Sequence, residues 1–191
     1  MDAHETTELI ERRDDKATKR GALTISIFAM VLAIASLGGS NTAKETAHEN
    51  ILAANVYSFY QAKTIRQTSL KIAATELELQ LLREVSLPAG AKEAMQEKID
   101  EYKKIIDRYE SEPDSKEGKK ELLARANEHE KTRDHAMRQD PWFDCAEGML
   151  QIAIVLLSVS LLSTIPALFV VGGLLGLLGT LSTLNGFLLL I

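Results

Sequence analysis

Two windows of this chain carry no charge at all, one from Gly21 to Ala43 and one from Gly148 to Ile191. A helix needs about 20 apolar residues, at about 1.5 Å each, to cross the hydrocarbon of a bilayer. The first window fits one crossing and the second, at 44 residues, fits two. The chain therefore reads as an all-α membrane protein with three transmembrane helices. Between the first and second spans lies a long charged stretch, read as an extramembrane antiparallel helical hairpin of coiled-coil type.

The divisions follow from these windows: a charged N-terminal tail over 1–20, the first span over 21–40, the hairpin over 41–139, and a transmembrane hairpin of spans two and three over 140–191. The tail mixes acids and bases and is expected to be frayed or peripheral. Its length and acidity fit a cleaved signal peptide poorly, so an uncleaved anchor is expected. The formal charge of −5 comes with both signs interspersed, the pattern of solvated helix faces, and it argues against nucleic acid as a partner. Cys145, the single cysteine, cannot close a disulfide within the chain and reads as a small packing residue.

Within the first span a line of small residues recurs in steps of four and three: Ala22, Ser26, Ala29, Ala33, Ser36, Ser40, Ala43, Ala47, Asn50 and Ala54. Small side chains let helix backbones approach, so this line is expected to be a helix-packing seam. The sharper alternative is that Ser26, Ser36, Ser40 and Asn50 face water in a pore. The helix is expected to run unbroken from Gly21 to Ser86, with Gly38 and Gly39 as its weak point. Beyond the membrane Ile51, Ile65, Ile72 and Leu79 form one apolar stripe, and Leu52, Val56, Phe59, Leu70, Ala73, Leu77 and Leu81 a second. Two apolar faces require more than one partner, which is the argument for self-association.

Leu87, Pro88, Ala89 and Gly90 turn the chain back. Met95, Ile99, Tyr102, Ile106 and Tyr109 then repeat at four and three, and antiparallel pairing places Leu82 on Met95, Leu79 on Ile99 and Ile72 on Ile106. A second returning helix is expected from about Ser115 to Arg138. The outgoing helix spans about 69 Å and the two returning ones about 68 Å together. Asp140 and Pro141 read as the N-cap and first position of the next helix, with Trp142 at the membrane interface. Pro166 marks the last turn. Gly172, Gly176 and Thr180 give a small packing face on the third span, and Asn185 is read as a bond between helices.

Residues 49–67 (ENILAANVYSFYQAKTIRQ) and 143–158 (FDCAEGMLQIAIVLLS) carry a resemblance to the bacterial membrane-protein family labelled domain of unknown function 4337. It covers nearly everything after residue 20. The resemblance implies an inner-membrane protein of three spans with a helical insert between the first two, and it brings no catalytic or ligand residue. Members commonly carry basic residues between the last two spans, where this chain has Ser163, Thr164, Ile165 and Pro166. Orientation then rests on Arg12, Arg13, Lys16, Lys19 and Arg20 before the first span against Lys44 after it, which places the N-terminus in the cytoplasm and the hairpin in the periplasm.

Few residues point to chemistry. Glu45 and His48 share a helix face, and a hairpin would bring them and Glu49 near Asp144. Glu45, His48, Glu49 and Asp144 are thus the candidate metal ligands, set against the adopted reading of a solvated ring of caps and charges. Lys63 and Arg66 share a face level with Asp114, Glu117 and Glu121, for ordinary ion pairs or, more sharply, an anionic-ligand site. No phosphate loop, nucleophile elbow, CxxC pair or metalloprotease helix occurs. No catalytic residue and no cofactor are expected, and the chain is read as no enzyme. The expected function is a membrane-anchored stalk or scaffold that self-associates, with the lipid bilayer, its own copies and other membrane proteins as partners; the alternative is an oligomeric channel lined by the first span.

Overall fold

The computed structural model describes residues 3–83, 88–163 and 165–190, with side chains from residue 18 onward except that of residue 89. Its described residues form four α-helices and no strand: α1 (Ala3–Arg83), α2 (Ala89–Glu110), α3 (Lys119–Ser163) and α4 (Pro166–Leu188). Three of them, α1, α3 and α4, are long and apolar enough to cross a membrane. Contacts divide the chain into unit 1, Met1–Thr46 with Asp134–Ile191, and unit 2, Ala47–Arg133.

Helix α1 runs 81 residues without interruption and begins inside the stretch expected to be a tail. The expected turn residue Leu87, the helix end at Ser86 and Thr164 lie outside the described residues.

In unit 1, three helices meet on a ring. Phe143 of α3 is 1% exposed. A Cβ on Gly38 of α1 would stand 2.5 Å from its ring, and one on Gly186 of α4 2.8 Å from it. The missing side chains are the space that the ring fills, which is why Gly38 is a packing position and not a break. Phe187 meets the same ring edge to face, with centroids 4.8 Å apart and planes at 73°. On one side of the ring, Ala35, Ala146 and Leu150 form a core with Phe28, Val31 and Leu32 against it. Gly172 and Gly176 are buried as expected of a small-residue face, but the face continues through Gly179, Thr183 and Gly186 and leaves Thr180 at its side.

Two expectations fail at α3. Pro141 does not start a helix; it lies inside one of 45 residues, and the helix expected to start near Ser115 starts at Lys119. An interior proline removes one backbone bond and costs about 3 kcal/mol. The buried residues Leu122, Ala126, Ala136, Phe143 and Leu150 stay on one face across it, and their packing offsets that loss. Asp140, relieved of capping, instead receives Thr42, whose Oγ1 lies 3.2 Å from its Oδ1. Asn185 likewise turns its Oδ1 to the Leu190 N–H at 2.9 Å, which caps its own helix.

In unit 2, α1 meets α2 and α3 along a ladder of contacts. Glu78 pairs with Lys103, Gln67 with Ile106 and Glu110, Lys63 with Glu117, and Glu49 with His129. The face that α1 turns inward runs Ala53, Val56, Tyr60, Lys63, Gln67, Leu70, Ala74, Leu77 and Leu81, in strict steps of three and four. Val56 packs with Leu122 and Ala126, and Ile99 is buried on α2. The stripe expected to make these contacts does not. Ile51, Ile65, Ile72 and Leu79 all face outward, so the pairs proposed for Ile72, Leu79 and Leu82 are corrected to the opposite face. Hydrophobicity misleads here because the true seam holds two alanines, a lysine and a glutamine.

Candidate functional site

The densest polar cluster sits in unit 2, where α2 ends, the chain crosses 111–118 and α3 begins. At this level the inward row of α1 offers Tyr60, Lys63 and Gln67 where aliphatic residues would continue a dry seam. A backbone that leaves one helix and enters another has unpaired N–H and C=O groups, and these side chains are placed to meet them.

Gln67 is 3% exposed and fully bonded. Its Nε2 donates to the Ile106 carbonyl and to Glu110 Oε2, each at 3.0 Å, and its Oε1 accepts Lys119 Nζ at 3.0 Å. Lys119 also stands 3.4 Å from Glu110 Oε2 and 5.5 Å from the Tyr60 ring centre. Lys63 donates to the Glu117 carbonyl, with the Glu112 and Glu117 carboxylates each at 3.9 Å and the Tyr109 ring centre at 5.7 Å. On the far side, Glu121 accepts the Ser111 hydroxyl at 2.6 Å and the Glu112 N–H at 3.2 Å. Every one of these groups is turned to a partner in the chain, so the cluster fixes three segments to one another.

Two carboxyls of the cluster are displaced from their ordinary range. Hydrogen bonding from Gln67, with Lys119 beside it and against the opposing effect of burial, lowers the pKa of Glu110. The Ser111 hydroxyl and the Glu112 N–H do the same for Glu121. A carboxylate whose folded pKa is depressed adds stability above its unfolded pKa, about 4.3, and that stability is lost as pH falls through the folded value. Thermal melting followed by circular dichroism should therefore show a lower midpoint at about pH 3 than at about pH 6. Glu110→Gln should flatten the decrease; an unchanged decrease would remove Glu110 from its cause.

The residues singled out in the sequence are scattered. Lys63 enters the cluster, whereas Arg66 is exposed on a neighbouring face. Glu45, His48 and Asp144 are exposed, and Glu49 is held by His129 Nδ1 at 2.7 Å. Among the described residues no three of His, Cys, Asp or Glu come together to hold a metal ion. Cys145 is exposed, not packed. The small-residue line of α1 is likewise turned outward from Ala22 to Ala54, Ser36 alone being half-buried. Gln67, Glu110 and Lys119 escaped notice in the sequence, although the unbroken three-four stepping from Ala53 to Leu81 marks Gln67 as an inward position.

Comparison with curated proteins and with solved structures gave no match. The sequence model of one family, described as a domain of unknown function (DUF4337), matches residues 17–189. Nearly the whole chain, with both units and all of the cluster just described, falls in that match, and the chain belongs to this family.

Proposed function

We propose that the chain is a multi-pass protein of the bacterial inner membrane whose extramembrane helices form an antiparallel hairpin, and that its copies associate through that hairpin into a stalk or scaffold. In this reading α1, α3 and α4 are the spans, the N-terminus is cytoplasmic and the hairpin periplasmic. The role is structural, with other membrane proteins as its clients, and not catalytic.

One observation carries the reading. In unit 2, α1 spends one face on α2 and α3 and still keeps Ile51, Phe59, Ile65, Ile72 and Leu79 exposed on the remainder. Aliphatic residues repeated along a solvated helix are a surface for another helix. The contact ladder supports the hairpin, since partners on α2 and α3 advance in number as those on α1 fall. A pore lined by the first span has less support. Ser26 gives its hydroxyl to the Ala22 carbonyl at 3.0 Å, so that group needs no water.

Light scattering in detergent tests the proposal. A mass of two or more chains is expected; a single chain would overturn it. Conductance across planar bilayers would instead favour the pore.

A further inference from the structure

Helix α1 carries a second row with coiled-coil spacing, and among the described residues no part of unit 2 covers it. Its leading positions are Ile51, Ser58, Ile65, Ile72 and Leu79, seven residues apart, and the four aliphatic ones are 44% to 68% exposed. The positions three residues further on, from Ala54 to Leu82, are exposed too, and neither set contains a charge. Alternating steps of three and four are the a and d positions of a coiled coil. From these faces we infer that the row pairs with the same row of a second copy, parallel and in register. The inference rests on the self-associating membrane protein proposed above, because anchors crossing one bilayer in one direction make their α1 helices parallel.

Three features select a second copy as the occupant. The first is charge. In a parallel pair each g residue faces the e residue five positions further along the other helix. Lys71 then faces Glu76 of the second copy, and Glu78 faces Arg83 of the second copy, each twice by symmetry. These are all the charged residues at flanking positions between 50 and 83, and every one meets the opposite sign. An antiparallel pair centred on the same stretch would set Lys71 against Thr64 and Glu78 against Tyr57. Glu78 also accepts Lys103 of its own chain at 2.8 Å, and a carboxylate has lone pairs for both.

The second feature is the polar layers. Ser58, Gln61, Thr68 and Thr75 interrupt the row, and each can both donate and accept. The hydroxyls of Ser58, Thr68 and Thr75 are met by the carbonyls four residues back, at 2.9 Å each, so the choice falls to Gln61: against its own copy its amide can donate and accept, whereas an apolar partner would leave it buried and unbonded. The third is size. From Ile51 to Leu82 the row is about 48 Å long; a strip about 10 Å wide on each of two helices buries roughly 1,000 Å² in total, the lower bound for a specific interface.

Cysteine capture decides it, in the full-length protein in detergent with Cys145→Ser. Under mild oxidation Ala54→Cys and Thr75→Cys should each convert more than half of the protein to a covalent dimer. Arg66→Cys, exposed on the same helix but on neither row, should give less than a tenth. Lys71→Glu should lower capture at Thr75→Cys several-fold, and adding Glu76→Lys should restore it. An oligomeric mass with no preference for the two row positions over Arg66→Cys overturns this interface and leaves self-association standing. Capture at Thr75→Cys without Ala54→Cys overturns the parallel register. A single-chain mass overturns both this inference and the function on which it rests.

Discussion

Phe143→Ala should destabilise unit 1 by about 3 to 5 kcal/mol, the range for removing a large buried aromatic side chain. In lipid the gain from leaving water is absent between helices, so the loss is one of contact. Here the contacts are many, because the ring fills the hollow left by Gly38 and Gly186 and stands edge-on to Phe187. No neighbour can collapse into the space without bending α1 or α4. Denaturant titration of the folded protein in mild detergent measures the change, and a shift under about 1 kcal/mol would mean that the hollow closes. The glycines offer a complementary check. Gly186→Ala places a methyl 2.8 Å from the ring and should be destabilising alone, yet less so when Phe143→Leu has shortened the side chain it strikes.

Leu122→Ala and Leu123→Ala should differ sharply although they are adjacent. Leu122 is 2% exposed and packed with Val56 and Ala126, whereas Leu123 is 40% exposed. The first should cost about 3 kcal/mol and the second under about 0.5 kcal/mol. Thermal unfolding followed by far-UV circular dichroism separates them. Equal effects would mean that α3 presents a different face to α1 from the one described.

The helices were legible because their signals are long and local. Uncharged windows place three apolar helices, Pro166 starts α4, and Pro88 stands just before α2, although Ala89 and Gly90, expected in the turn, already belong to that helix. What failed was the choice of face. Reading by hydrophobicity paired Ile72, Leu79 and Leu82 with the returning helix, although the chain's own seam takes Val56, Leu70, Leu77 and Leu81 from the second stripe and completes it with Ala53, Lys63, Gln67 and Ala74, whose value lies in size and bonding. Phase would have been the better guide, since the inward row keeps its stepping through every polar member. Pro141 misled for a related reason. Its local preference to open a helix is real, but Ala136 and Phe143 on either side are already in phase, and tertiary packing overrides the preference. The polar cluster was half visible. Lys63 and its acidic surroundings could be placed by counting helix rise, whereas Gln67, Glu110 and Lys119 are joined only by folding.

The stepping of the inward rows has a consequence for how a chain of this kind can vary in length. Deleting one residue from α1 within unit 2 rotates everything beyond it by about 100° and turns Gln67 or Val56 toward water. Deleting seven there, with seven from the facing stretch of α2 or α3, returns each layer to a like position. The extent of unit 2 is thus quantised in blocks of seven on both sides at once, and relatives that are longer or shorter in this region should differ by that increment.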